Sequence, residues 1–255
     1  MATWIIGDIH GCADELAELL RRIGPGPTDT ILPVGDLVHR GPDPAGVCDL
    51  LDAANARFLV GNHERALLRR VGLMPLRHDG SDRGPLDVDL SDLEEDDLRG
   101  DGRTPCVVPA SRRADVVRYL QRHSGYLLRD TDLEHAGRTP DGRGWIAVHA
   151  GFQPKKRPED QPVETLCTIR RLKGPKSAFW YEKWRGPELV LFGHTHSVVP
   201  RVQTRGARVV AMGLDTGCVF GGSLTAYSPE LDETISVPAR TSAGQVAVAS
   251  SGRAA

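Results

Sequence analysis

The octapeptide GDLVHRGP, Gly35–Pro42, directly follows the apolar run Thr30–Val34 and places an acid, a histidine and an arginine in one glycine-bounded turn. The same grammar stands on either side of it. Thr3–Ile6 leads through GDIHG (Gly7–Gly11) into ADELAELLRRI, where Leu16, Leu19, Leu20 and Ile23 share a helical face. Arg57–Val60 leads through GNHE into the helix-forming ERALLRRV, and GDLVHRGP itself leads into AGVCDLLDAA. A β-branched run, a polar loop and a helix, three times over, predict an α/β chain with a mostly parallel sheet and covering helices. Ligands of such sheets bind beyond the carboxyl ends of the strands, which is where these loops fall.

The rest of the chain continues the pattern with one interruption. Residues 79–101 are acidic, poor in aromatics and without an apolar period, as expected of a solvated insertion, with a lid over a cationic site as the rival. RADVVRYLQRH then reads as a helix, and Trp145–Val148 and Glu188–Phe192 read as strands ahead of HAG and GHTH. Ala207–Met212, SLTAYSP and TISVPAR alternate like antiparallel strands. In FWYEKW, Phe179–Trp184, the simpler expectation is that Trp180 and Trp184 face the core, the alternative that an aromatic stacks on adenine. No linker divides the chain, so one domain is expected over 1–240, with a disordered Ser/Ala/Gly-rich tail from 241 to 255.

Composition narrows the functional classes. Across 255 residues, 32 basic and 34 acidic side chains leave a net charge of -2, so nothing global draws the molecule to nucleic acid or an anionic membrane, and any anion site must be local. The five cysteines are scattered, without metal-binding or redox spacing, and read as small buried hydrophobes. Trp4–Ile6 is cut short by Asp8 and His10, which does not make a signal peptide, and no window reaches membrane-span length. A cytoplasmic protein is expected.

The loops repeat a few residue types: Asp8 and His10, Asp36, Asn62 and His63, His149, then His194 and His196. Acids and imidazoles gathered at one sheet edge would repel or desolvate one another unless a cation sat between them. GDIHG, GDLVHRG, GNHE, HAG and GHTH, in that order, resemble the signature of the calcineurin-like metallophosphoesterases. GDLVHRGP, WIAVHAG and LDTGCVFGGSLTAYSPE look most like the branch of bacterial Ser/Thr-type protein phosphatases and diadenosine tetraphosphate hydrolases.

The resemblance implies a four-layer αββα sandwich, two mixed β-sheets flanked by helices with the metal site at the strand ends. It implies one metal held by Asp8, His10 and His196, a second by Asn62, His149 and His194, and Asp36 bridging both. Such mixed ligands suit manganese, iron, zinc, cobalt or nickel, with manganese favoured by analogy. Two divalent ions would lower the pKa of a shared water and neutralise the phosphoryl oxygens under attack. Arg40 matches the family's phosphate-binding arginine, His63 its proton donor, and Arg171 or its neighbour Arg170 is a candidate second phosphate contact.

One position departs from the pattern. His39 stands where the protein phosphatases carry an aspartate that would keep the His63 imidazole protonated. Loss of that carboxylate matters most for alkoxide leaving groups and least for nucleoside phosphates, so the departure favours phosphoanhydride substrates, dinucleoside polyphosphates first. A Ser/Thr-type or broad-specificity phosphatase is the alternative, and an inactive nucleotide- or partner-binding relative is the third reading. The expected partners are phosphorylated small molecules, nucleotides or phosphoproteins, with no nucleic acid and no membrane.

Overall fold

The computed structural model describes residues 1–73, 89–99 and 104–240. Strands β1 (Thr3–Ile6) and β2 (Thr30–Pro33) pair in parallel, with helix α1 (Ala13–Ile23) between them in the chain. Helices α2 (Pro44–Ala53), α3 (Asn62–Arg70) and α4 (Arg113–Leu120) follow. The chain then forms β3 (Leu127–Arg129), β4 (Trp145–Val148), helix α5 (Val163–Thr168) and β5 (Leu189–Phe192). It closes with β6 (Arg201–Arg205), β7 (Arg208–Gly213), β8 (Ser223–Ser228) and β9 (Glu233–Pro238).

Two mixed sheets result, ordered β2-β1-β8-β9 and β3-β4-β5-β7-β6. The expectation of a mostly parallel sheet is thereby corrected. β8 returns antiparallel against β1, and β3 and β6 flank the second sheet as antiparallel edges. The expected strand at Arg57–Val60 is absent for a local reason. Arg57 and Leu59 donate to the Ile31 and Pro33 carbonyls at 3.0 Å, but Pro33 has no N–H with which to complete the parallel ladder.

Alternation along the strands stacks the layers. Trp4 and Ile6 of β1 pack outward with Leu16 and Leu19 of α1, while Ile5 between them faces inward. Trp145 and Ala147 of β4 and Leu189 and Leu191 of β5 meet Ile5 in the inter-sheet core. Ile146, Val148, Val190 and Phe192 point the other way, onto Phe152, Trp180 and Trp184. The central strands β1, β4 and β5 are buried on both faces, which is why they read as continuous hydrophobic runs. The second outer layer is thin, one short helix and the aromatic turn Trp180–Lys183, and in it both tryptophans of FWYEKW are buried.

The acidic segment corrects a further expectation over the part that is described. Asp89–Arg99 exposes most of its carboxylates but buries Leu90 and Leu98 in the core with α3 and α4, and the Leu98 carbonyl accepts from His39 Nε2 at 2.8 Å. It is packed structure, not a solvated strap. Its remainder, and the tail expected to be disordered, lie outside the described residues. No described helix is long and apolar enough to cross a membrane.

Candidate active site

Every loop that leaves the carboxyl end of β1, β2, β4, β5 or β7 turns toward the same place, joined by the start of α3. Their backbones are unusual. Of the seven non-glycine residues with positive φ among those described, five are His10 (50°), Asp36 (53°), His39 (77°), Arg40 (66°) and His194 (61°). Left-handed conformations at such residues cost energy and persist where the surroundings hold them, most often at functional sites.

The glycines of the motifs make room for carboxylates. A Cβ on Gly61 would stand 2.2 Å from Asp36 Oδ1, and one on Gly193 2.1 Å from Asp8 Oδ1. The side chains of Asp36 and Asp8 therefore occupy the space that any other residue would fill. Asp36 Oδ1 accepts from the His63 N–H at 3.1 Å, and both oxygens of Asp8 accept from the His194 N–H at 3.0 and 3.1 Å.

Asp36 is the centre of the arrangement. His10 Nε2 lies 3.6 Å and His63 Nε2 3.9 Å from its Oδ2, and His149 Nε2 lies 3.5 Å from its Oδ1. Two sets of ligand atoms close enough to share an ion, His10–Asp36–His63 and Asp36–His149–His194, meet at this one carboxylate. Asn62 Oδ1 stands 3.2 Å from His149 Nε2. His196 lines the same cavity but stays outside the tight sets, its ring 5.4 Å from that of Phe220.

The donor chemistry fits divalent cations. His10 Nδ1 is 3.2 Å from the Val38 carbonyl, His149 Nδ1 3.1 Å from that of Val34, and His194 Nε2 3.2 Å from that of Thr168. Those contacts make each of these nitrogens the N–H, so the opposite nitrogen presents its lone pair, the arrangement by which protein histidines hold metals. Burial keeps two of these rings neutral against the pull of Asp36: His10 is lowered to about 3, and His194, with its neighbour His149 adding to the effect, to about 2. Burial opposes ionisation of Asp36, but His149, His63, His10 and His194 together outweigh it and hold the carboxyl far below the usual range. Asp8 is driven the other way, by burial and then by Asp215 and Asp36.

Two acids of this site were not singled out in the sequence. Asp215, buried in the loop after β7, lines the cavity and pushes the Asp8 carboxyl up, and its signal was the strand-then-acid grammar repeated in LDTG. Glu64 of GNHE is wholly buried and gathers the N–H groups of Asp36 at 2.7 Å, Leu37 at 2.8 Å and Gly61 at 3.0 Å. It clamps the β2 loop to the head of α3.

Arg40 reaches back over the cluster, its guanidinium contacting His10 Nε2 and, at 2.9 Å, His63 Nε2. His39 is completely buried beside His63, ring centroids 4.9 Å apart. Burial, and then His63, lower it to about 4, so it is neutral while folded. An unfolded histidine titrates near 6.5, so the stability tied to a neutral His39 is complete above that pH and is lost as pH falls toward 4. With chelator present, the stability advantage of wild type over His39→Gln is expected to narrow by about 1 kcal/mol per pH unit below about pH 6.5. Urea unfolding of both proteins at pH 7.5 and 5 measures it, and a constant gap would contradict a neutral buried ring.

Arg170 and Arg171 both line the cavity but differ in attachment. Arg170 donates to the His194 carbonyl at 3.3 and 3.1 Å, while Arg171 donates to the Ser177 carbonyl and lies over the ring of Phe179. The cavity measures about 770 Å³, and Phe179, Arg201 and Phe220 line it together with the carboxylates.

The family model for calcineurin-like phosphoesterases matches residues 1–198. The chain belongs to that family. It is accordingly a metal-dependent hydrolase of phosphoric esters or anhydrides. It is 30% identical to the asymmetrical bis(5'-nucleosyl)-tetraphosphatase PrpE of Geobacillus sp. (strain WCH70), over 92% of this chain and 93% of that one. It is 31% identical to the symmetrical bis(5'-nucleosyl)-tetraphosphatase of Chromohalobacter salexigens, over 89% and 94%. A crystal structure provisionally described as a diadenosine tetraphosphatase superposes with a TM-score of 0.67 at 29% identity, covering 93% of both chains.

Proposed function

We propose that this phosphoesterase hydrolyses dinucleoside polyphosphates through two divalent metal ions, manganese favoured, within a single domain spanning 1–240. The observation that carries the reading is the cavity. It is larger than a phosphomonoester needs, and four arginines, Arg40, Arg170, Arg171 and Arg201, line it together with the rings of Phe179 and Phe220. Phosphate chains are met by guanidinium forks and bases by aromatic faces. Relatives of both cleavage modes, at 30% and 31% identity, carry the substrate in their names.

In this reading Asp8, His10 and His196 hold one ion and Asn62, His149 and His194 the other, with Asp36 shared. Bound there, the ions supply Lewis-acid polarisation of a phosphoryl oxygen and acidify a bound water. The protein's own groups do the rest. Arg40 orients the reacting phosphate, and His63 stands where it can pass a proton to the leaving oxygen. Neutral His39 beside it adds no negative charge to keep that imidazole protonated, which suits a nucleoside phosphate as leaving group better than an alkoxide.

Manganese-loaded protein incubated separately with diadenosine tetraphosphate and with a phosphoserine peptide tests the reading. Two ADP indicate symmetrical attack and AMP plus ATP asymmetrical attack. Phosphate from the peptide alone would replace the proposal with a protein phosphatase. His39→Asp is expected to raise hydrolysis of an alkyl phosphomonoester relative to diadenosine tetraphosphate and to extend its alkaline pH limb. Unchanged substrate ratios would show that residue 39 does not govern His63.

A further inference from the structure

In the wall of the cavity, outside both ligand sets, two cations converge on one ring from different parts of the chain. Arg171 opens the short hairpin that bridges back to Phe179, and its guanidinium lies 3.8 Å from the centroid of that ring. Arg201, the first residue of β6, lies 5.0 Å from the same centroid. Both guanidiniums are steered by backbone carbonyls, Arg171 by that of Ser177 and Arg201 by that of His196 at 3.3 Å, and neither of those partners offsets a positive charge. Arg201 Nε is buried with no hydrogen-bond partner, a donor left unsatisfied among otherwise well-placed groups. Two like charges held against one ring in a cavity wall are stabilised by an anion that meets both. Arg40, 2.9 Å from His63 Nε2, is already placed to meet the reacting phosphate, which leaves these two arginines for a further one.

We propose that Arg201, acting with Arg171 around the ring of Phe179, binds the non-reacting phosphates of a nucleoside polyphosphate and makes the enzyme select phosphate chains over single phosphate groups. The proposal rests on the polyphosphate reading above and adds to it the residues that measure chain length. The arginines are specificity residues here. In this proposal the phosphates they hold are not the one that reacts, so their binding energy is available for selecting and aligning the substrate.

Inhibition of aryl phosphate hydrolysis tests this at fixed, saturating free manganese, with inorganic orthophosphate and inorganic tripolyphosphate as the two probes. Wild type is expected to bind tripolyphosphate at least about tenfold more tightly than orthophosphate, the scale of one charge-assisted contact. Arg201→Ala and Arg171→Ala should each remove most of that advantage, Arg201→Lys should restore part of it, and the kcat/KM ratio of diadenosine tetraphosphate to aryl phosphate should fall in step. Melting temperatures within a few degrees of wild type confirm that the variants fold. Equal weakening of both probes would place these arginines at the reacting phosphate and overturn the proposal, as would an unchanged tripolyphosphate advantage. If tripolyphosphate behaves as expected while wild type leaves diadenosine tetraphosphate intact, the chain-binding subsite stands and the dinucleotide reading fails alone.

Discussion

Asp36→Asn is expected to lower kcat by roughly 10³-fold, equivalent to about 4 kcal/mol of lost transition-state stabilisation, with the fold retained. Asp36 is the one side chain common to both ligand sets, and three imidazole nitrogens lie within 3.9 Å of its two oxygens. An amide keeps the shape and can still accept the His63 N–H, so little packing changes. It carries no charge, so neither cation would be neutralised and one of the two oxygens would become a donor facing ligand atoms. Elemental analysis should show reduced metal occupancy, and circular dichroism should match wild type. Near-normal turnover with full metal content would rule out a shared role for this carboxylate.

Glu64→Ala should be the most damaging single change to stability among the polar residues of the site. The carboxylate accepts from the N–H groups of Asp36, Leu37 and Gly61, all within 3.0 Å, in a place sealed from solvent. Burial and then Asp36 push its pKa up to about 7, while those same N–H donors pull it back. Truncation leaves the donors unsatisfied, at about 1–3 kcal/mol each before relaxation, so a loss of about 3 kcal/mol or more is expected. For a chain of this size that is roughly a 6–12 °C fall in Tm. Turnover should drop as well, by about 10²-fold, because the clamp sets the position of Asp36 against the head of α3. Glu64→Gln keeps one acceptor and should lie between. A wild-type Tm for Glu64→Ala would mean that the β2 loop holds its shape without the clamp.

The acidic segment shows how composition misleads where packing is sparse. Residues 79–101 look solvated because their carboxylates outnumber their apolar side chains, yet two leucines, Leu90 and Leu98, suffice to anchor the described part. Removing 82–101, which a solvated insertion would tolerate, is now expected to cost stability, because it deletes those leucines and the carbonyl that holds His39. Trp180 and Trp184 went the other way. Their burial was the simpler expectation from an apolar-spaced motif, and the stacking candidate that remains in the cavity is their neighbour Phe179.

The residues proposed as metal ligands could be picked out in the chain because each sits in a local motif. A strand end and a turn with positive φ are short-range requirements, and GDIHG, GDLVHRG and GHTH spell them out in consecutive letters. Most of the strand and helix positions read from the chain followed for the same reason, since apolar period is also local, with Arg57–Val60 the exception. What partners what was not local. The antiparallel entry of β8 beside β1, the pairing of Asp215 with Asp8, and the meeting of Arg171 with Arg201 on Phe179 join residues far apart in the chain, and periodicity carries no information about which distant strand lies alongside. The ligand types and their order belong to the primary structure. The sharing of Asp36 between two imidazole sets, the clamp by Glu64 and the meeting of two arginines on Phe179 exist only once both sheets have stacked, because burial and long-range contact create them.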